Sequence, residues 1–304
     1  MVMRIKGHGQ VATDYDDRTT RAVKATLIEI GQILGSFKGK FAVVGGAVPW
    51  LLLDGATDMP HVGTLDVDLS LDAEALGSAE YACLVKAMLA HGYEQRTNLR
   101  RFQLVRDVPF DHQTRPIEVV VDFLMPRNAA VVKNMPPLIN DFAVQRADGA
   151  ELALRFYQMV AIEGNMPDGG RNRVEIAVCS IPALLAMKGY AIAGRYKQKD
   201  AYDIYYCVRN YPDGYRALAE DCRPLLTFPM AVQGYSHIAD KFSSPDSFGP
   251  VCVRRFVTDT DVLADRSAEQ WQRDAFGQVS AWLGELGLGI SQQRAGPADD
   301  CRGG

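Results

Sequence analysis

The sequence predicts an α+β fold: a mixed β-sheet with flanking helices, followed by a helical C-terminal region. Three observations carry that reading. Residues 41–72, FAVVGGAVPWLLLDGATDMPHVGTLDVDLSLD, read as strand, tight Gly-Gly turn, short helix, loop and second strand. Residues 117–124, IEVVVDFL, form a nearly continuous apolar and β-branched run, as in a strand buried on both faces. Near residue 180 a strand-rich composition gives way to a helix-rich one, which divides the chain into 1–179, 180–290 and a disordered tail at 291–304.

Bulk properties bound the function classes. A chain of 304 residues suits one large or two modest domains, and 47% hydrophobic with 23% charged residues is ordinary for a globular protein. The net charge of −4 gives no global basic field, so any nucleic-acid contact needs a local patch. Six cysteines, Cys83, Cys179, Cys207, Cys222, Cys252 and Cys301, stand singly with no C-x-x-C pair. That argues against zinc and for reduced core thiols. The N-terminus lacks a signal-peptide layout, and the apolar stretches are too short or too charged to span a bilayer. A soluble cytoplasmic chain with no membrane partner is expected.

In chain order, residues 1–15 are polar and loose. The segment from Asp16 carries Val23, Leu27, Ile30 and Leu34 at spacings of 4, 3 and 4, an amphipathic helix capped by Asp16 or Asp17. Residues 41–44 are a short buried strand. Gly45 and Gly46 follow at once, where a strand-to-helix turn permits positive φ and close approach of a ligand. The helix start behind them offers N–H groups to phosphate. Alone, such a pair is a plain tight turn. Residues 54–64 are a loop whose lone His61 is not expected to be a ligand.

Asp66 and Asp68 then project from one face of a strand, with Leu65, Val67 and Leu69 on the other. Two adjacent carboxylates repel unless a cation lies between them, and oxygen-only ligands suit Mg2+. Thr64, two residues earlier, can contact a phosphate or orient a carboxylate.

Residues 77–91 predict an amphipathic helix burying Tyr81, Leu84, Val85, Met88 and Leu89, ended by Gly92. Strands are expected at 100–106 and 117–124. Asp122 inside the second run is expensive to bury without an arginine or a metal as partner. With Asp66 and Asp68 on a neighbouring strand, a third metal-binding carboxylate is the better reading.

Residues 125–150, with Pro126, Pro136 and Pro137, read as irregular, and short strands are expected at 151–156 and 173–178. Ser180 with Pro182 starts a helix through IPALLAMKGYAIAG, and KQKDAYDIYYCVRN is a second. Residues 213–243 and 265–287, the latter with Trp271, Phe276, Val279 and Trp282, read as helical.

The two central helical segments gather Lys188, Arg195, Lys197, Lys199, Asp200 and Asp203. The spacing of Lys188 and Arg195 predicts a shared helix face, and Lys199 and Asp203 are an i, i+4 pair. Such clusters are commonly solvated faces with local ion pairs. The functional alternative is a cationic arm toward the metal site. In it Lys188 contacts a triphosphate, Arg195 or Lys199 holds phosphates or an acceptor backbone, and Asp203 orients a cation or moves a proton.

The order VVGGAVPWLLL, GTLDVDL, Asp122 and the Lys188 to Asp203 segment, over residues 25–210, resembles the nucleotidyltransferase superfamily related to DNA polymerase β. More narrowly, it is similar to the AbiEii/AbiGii toxins of bacterial type IV toxin–antitoxin systems. The resemblance implies a nucleotidyltransferase-like sheet in a catalytic domain at 1–179. It implies two Mg2+ ions on Asp66, Asp68 and Asp122, an NTP whose β- and γ-phosphates lie on Gly45-Gly46, and attack of an acceptor hydroxyl on the α-phosphorus. Catalytic roles then fall on Asp66, Asp68, Asp122, Lys188 and Asp203. Nucleotide contacts fall on Gly45, Gly46, Thr64, Lys188, Arg195 and Lys199. In such toxins the acceptor is often the tRNA 3′ end, and an antitoxin is a partner. Where relatives often carry arginine two residues before the Thr, this chain has Val62. A small aminoglycoside-like acceptor, or a non-catalytic nucleotide- or partner-binding module, are the alternatives.

Overall fold

A computed structural model describes residues 17–37, 39–53, 61–109, 115–130, 143–259, 263 and 265–289. The expectations for residues 1–15, Asp16, Pro136, Pro137, Cys301 and the tail at 291–304 lie outside them.

Helix α1 (Asp17–Ile33) buries Val23, Leu27 and Ile30 completely, as the spacing predicts, with Leu34 just beyond its end. Strand β1 (Phe41–Val44) leads through the glycine turn into α2 (Ala47–Leu53), and β2 spans Asp66–Leu71. Helix α3 (Ala73–Ala90) starts four residues earlier than expected. The Asp72 carboxylate accepts from Ala75 N at 3.0 Å and caps the helix there. Strands β3 (Tyr93–Glu94), β4 (Gln103–Val108), β5 (Ile117–Pro126) and β6 (Gln145–Ala147) follow.

Residues 151–156 are not a strand. Helix α4 (Ala150–Arg155) occupies them, started by the left-handed Gly149 and built from Ala, Glu and Leu, which favour helix. The strand begins only after it, as β7 (Tyr157–Asn165), and pairs with β8 (Arg171–Cys179).

Among the described residues eight strands form one mixed sheet in the order β3-β4-β5-β2-β1-β8-β7, with β6 pairing β5. The expected mixed sheet with flanking helices and a helical C-terminal region is what the chain adopts. β2 lies centrally, parallel to β5 and antiparallel to β1. Its burial alternates, with Val67 and Leu69 inaccessible and Asp66 and Asp68 partly exposed.

Ser180 caps α5 (Ile181–Gly194), and α6 (Gln198–Arg209) follows after three residues. The expected helical stretch at 213–243 is two helices, α7 (Gly214–Cys222) and α8 (Pro229–Lys241), separated by a 3-10 turn at Arg223–Thr227. Helices α9 (Phe248–Thr258) and α10 (Ala268–Glu285) complete the region, the latter burying Trp271, Val279 and Trp282. α8 crosses α5 backbone to backbone. A Cβ on Gly189 would lie 1.8 Å from the Gly234 carbonyl oxygen, so only glycine fits this crossing. Among the described residues the free cysteines Cys179, Cys207, Cys222 and Cys252 are buried, whereas Cys83 is exposed.

Candidate functional site

Sheet register brings the three carboxylates together. Asp68 of β2 sits opposite Asp122 of β5 on one side and Val44 of β1 on the other. Because β1 runs antiparallel to β2, its last residue delivers Gly45 to the flank of Asp68. Gly45 has φ +73°, and a Cβ there would fall 1.8 Å from Asp68 Oδ2 and 2.7 Å from Cγ. The turn thus needs glycine twice over, for its dihedral and for its clearance. α2 has only seven residues. What the turn offers is therefore a bare backbone beside a carboxylate rather than a strong helix dipole.

Each carboxylate is held differently. Thr64, buried, donates from Oγ1 to Asp66 Oδ1 at 2.9 Å, so it orients a carboxylate, one of its two expected roles. Gln103, paired with Asp122 across β4 and β5, donates from Nε2 to Asp122 Oδ1 at 2.8 Å. Burial, then the charges of Asp66 and Asp122, push the Asp68 carboxyl well above the usual range. Burial and then Asp66 push Asp122 up to about 7.

Among the described residues no three His, Cys, Asp or Glu side chains already stand in ligand geometry. The chemistry of the donors still fits a hard divalent cation. They are all oxygen, they crowd negative charge on one sheet face, and only bare glycine backbone packs against Asp68.

The cations come from α5 and α6. Lys188 is buried on α5 and donates to Asp200 Oδ1 at 2.8 Å and Asp203 Oδ2 at 2.7 Å. Lys199 donates to Asp203 Oδ1 at 2.8 Å, the i, i+4 pair the spacing predicts. Arg195 does not share a helix face with Lys188. α5 stops at Gly194, and Arg195 lies beyond it with extended dihedrals of −146° and 156°. Its guanidinium turns to grip Asp200 through Nε at 2.7 Å and Nη2 at 3.0 Å. Burial alone would raise Asp200 and Asp203. The charge of Lys188, joined by Arg195 for Asp200 and by Lys199 for Asp203, holds both below the usual carboxylate range.

His61 is the residue that sequence reasoning passed over. Its Nδ1 accepts from Gly63 N at 3.1 Å, which places the proton on Nε2, 3.0 Å from Asp203 Oδ1. It ties the loop carrying Thr64 to α6, and it packs edge-on against Tyr206. Burial and the charge of Lys199 lower it to about 4. The unfolded chain therefore takes up this proton first. The stability His61 contributes is complete above about pH 6.5 and is lost as pH falls toward 4, amounting to about 3 kcal/mol. His61→Gln is expected to flatten that part of the pH profile. Urea midpoints at pH 7 and 4.5 that fall equally in both proteins would refute the assignment.

The α5–α6 junction faces the carboxylates. The charge of Arg195 acts on both Asp66 and Asp68, while Lys197 and Arg100 act on Asp122. Lys199 lies against the turn: a Cβ on Gly46 would lie 2.8 Å from Thr64 Oγ1 and 3.2 Å from Lys199 Nζ. Lys197, Arg100 and Gln103 are thus additional members of the site. Gly45→Ala is expected to displace Asp68 and to cost at least about 1–2 kcal/mol in thermal stability. A variant with wild-type melting and cation response would overturn this reading of the turn.

No protein-family model matches the chain, and no curated protein does. Among solved structures it is similar to an antigenic nucleotidyltransferase-like protein from Paracoccidioides brasiliensis. The identity is 16% and the TM-score 0.39, over 69% of this chain and 93% of that one. The functional reading rests on the site's own chemistry. Among the described residues no helix is long and apolar enough to cross a membrane.

Proposed function

We propose that this chain is a divalent-cation-dependent nucleotidyltransferase, which moves an NMP from an NTP to an acceptor hydroxyl. The observation that supports it is the pairing of two charge surfaces. Three neighbouring carboxylates, Asp68 and Asp122 among them pushed well up, share the sheet centre beside a glycine turn, and a cationic junction faces them.

In this reading Asp66, Asp68 and Asp122 hold Mg2+, which when bound supplies positive charge against the phosphates. The Gly45-Gly46 backbone lies along the β- and γ-phosphates. Arg195, Lys197 and Lys199 offset charge that develops as the acceptor oxygen bonds to the α-phosphorus and the bond to the leaving pyrophosphate breaks. The acceptor proton passes to a carboxylate oxygen of the cluster.

Lys188 takes another role than the sequence spacing favours, and Asp203 takes the first of its two expected ones. Two of the three Lys188 donors are committed to Asp200 and Asp203, so Lys188 anchors the arm instead of touching phosphate. Asp203, buried and accepting from Lys188, Lys199 and His61, positions cations and is a poor proton acceptor. The motif order resembling AbiEii/AbiGii supports the finer reading: a toxin acting at the tRNA 3′ end, with a cognate antitoxin as partner.

The test is incubation with each α-labelled NTP and Mg2+, offering tRNA, protein and small polyols as acceptors. Label on RNA with stoichiometric pyrophosphate is expected. No label on any acceptor, together with no NTP binding by calorimetry, ends the enzyme reading.

A further inference from the structure

Tyr196 lies at the centre of the α5–α6 junction, and its side chain has no role in the machinery above. It is 83% exposed, the most open large hydrophobic residue among those described. Its ring is nevertheless not adrift. The Phe248 ring at the start of α9 meets it edge-on at 5.4 Å. Lys241, at the end of α8, places Nζ 5.8 Å from the Tyr196 centroid and 5.3 Å from that of Phe248. An isolated exposed aromatic needs no explanation. Two aromatics braced against each other by a cation, set between two site cations, form an arrangement suited to a ligand.

The direction of the ring identifies the occupant. Arg195 and Lys197 both have extended backbone, so side chains alternate along the link. Arg195 and Lys197 exert their charge on the carboxylates. Tyr196 therefore turns outward, to α8 and α9. A mononucleotide held at the carboxylates does not extend around the link. A strand whose end enters the site does, and its next unpaired base would arrive at Tyr196 with a phosphate near Lys241. Aromatic stacking beside backbone-tracking cations is how single strands are held without sequence readout.

We infer that Tyr196, braced by Phe248 and Lys241, is a stacking platform for an unpaired base of a single-stranded polynucleotide acceptor, just outside the reacting end. The inference rests on the transferase reading for its sense, but it is tested separately, because acceptor binding needs neither NTP nor turnover.

The experiment measures fluorescence anisotropy of a short 5′-labelled single-stranded RNA against the full chain, without nucleotide. On the same preparations, NTP binding in Mg2+ is measured by calorimetry and transfer by α-label. Tyr196→Ala is expected to weaken RNA binding about tenfold or more, with NTP affinity unchanged. Tyr196→Trp keeps a stacking ring and is expected to stay within about twofold of wild type. Lys241→Ala is expected to weaken binding and flatten its salt dependence. Wild-type RNA affinity in Tyr196→Ala overturns the platform. So does a loss confined to NTP binding, which would make Tyr196 a donor-base contact. An equal loss in the Ala and Trp variants also overturns it, since packing on Phe248 would then be the cause. RNA binding that depends on Tyr196, with neither nucleotide transfer nor NTP binding, supports the platform and removes the transferase reading.

Discussion

Asp68→Asn is expected to lower nucleotide transfer by roughly 100-fold or more, while the protein melts at or above the wild-type temperature near neutral pH. Loss of activity without loss of stability follows from the strain on this group. Its carboxyl is pushed up by burial, then by Asp66 and Asp122, while Arg195 and Lys188 counter only in part. A carboxyl whose folded value exceeds its unfolded one stabilises the fold fully below the unfolded value. That contribution is lost as pH rises through the folded value. At neutral pH the charged form is therefore a burden on the apo protein. Asparagine keeps the shape, removes the charge and gives an N–H donor to the neighbouring carboxylates. Thermal melts with and without Mg2+ separate this from general damage. Wild type should gain stability with the cation by mass action and the variant should not. A variant that transfers nucleotide normally, or that melts many degrees lower, would sink the assignment.

How much of this was legible in the sequence depends on how local each feature is. The i, i+2 spacing of Asp66 and Asp68 fixed their common face, since strand periodicity requires only neighbours. Asp122 was visible as a charge within an apolar run. Its position opposite Asp68 depends on the parallel pairing of β2 and β5, which no local pattern encodes. The Ser180 cap and the end of α5 at Gly194 also followed from local signals. Arg195 did not, because helical spacing was extended one residue past that end. His61 left no signal. Its function depends on a buried carboxylate far along the chain, and an isolated loop histidine carries no hint of such a partner. Tyr196 likewise reads as an ordinary aromatic until α8 and α9 fold against it.

The largest expected stability effect lies away from the strained carboxylates, at Asp203. This side chain is inaccessible and accepts from three groups: Lys188 Nζ, Lys199 Nζ and the His61 Nε2–H. Asp203→Ala is expected to cost about 3–5 kcal/mol, because removing one member of a buried ionic network leaves the other charges desolvated. The loss should not divide evenly. Lys188 keeps Asp200, which is also gripped by Arg195. Lys199 depends more heavily on Asp203. Burial and then repulsion by Lys188 and Lys197 outweigh that carboxylate, and its ammonium is already below the ordinary lysine range. Removing Lys199 as well should therefore recover part of the loss. The double variant Asp203→Ala with Lys199→Met is expected to be at least about 1 kcal/mol more stable than the single one. Urea unfolding with unchanged slopes is the measurement. A single variant within about 0.5 kcal/mol of wild type would mean that the network is not what secures α6 to α5 and the loop before β2. A double variant less stable than the single one would mean that Lys199 contributes through its packed stem, not its charge.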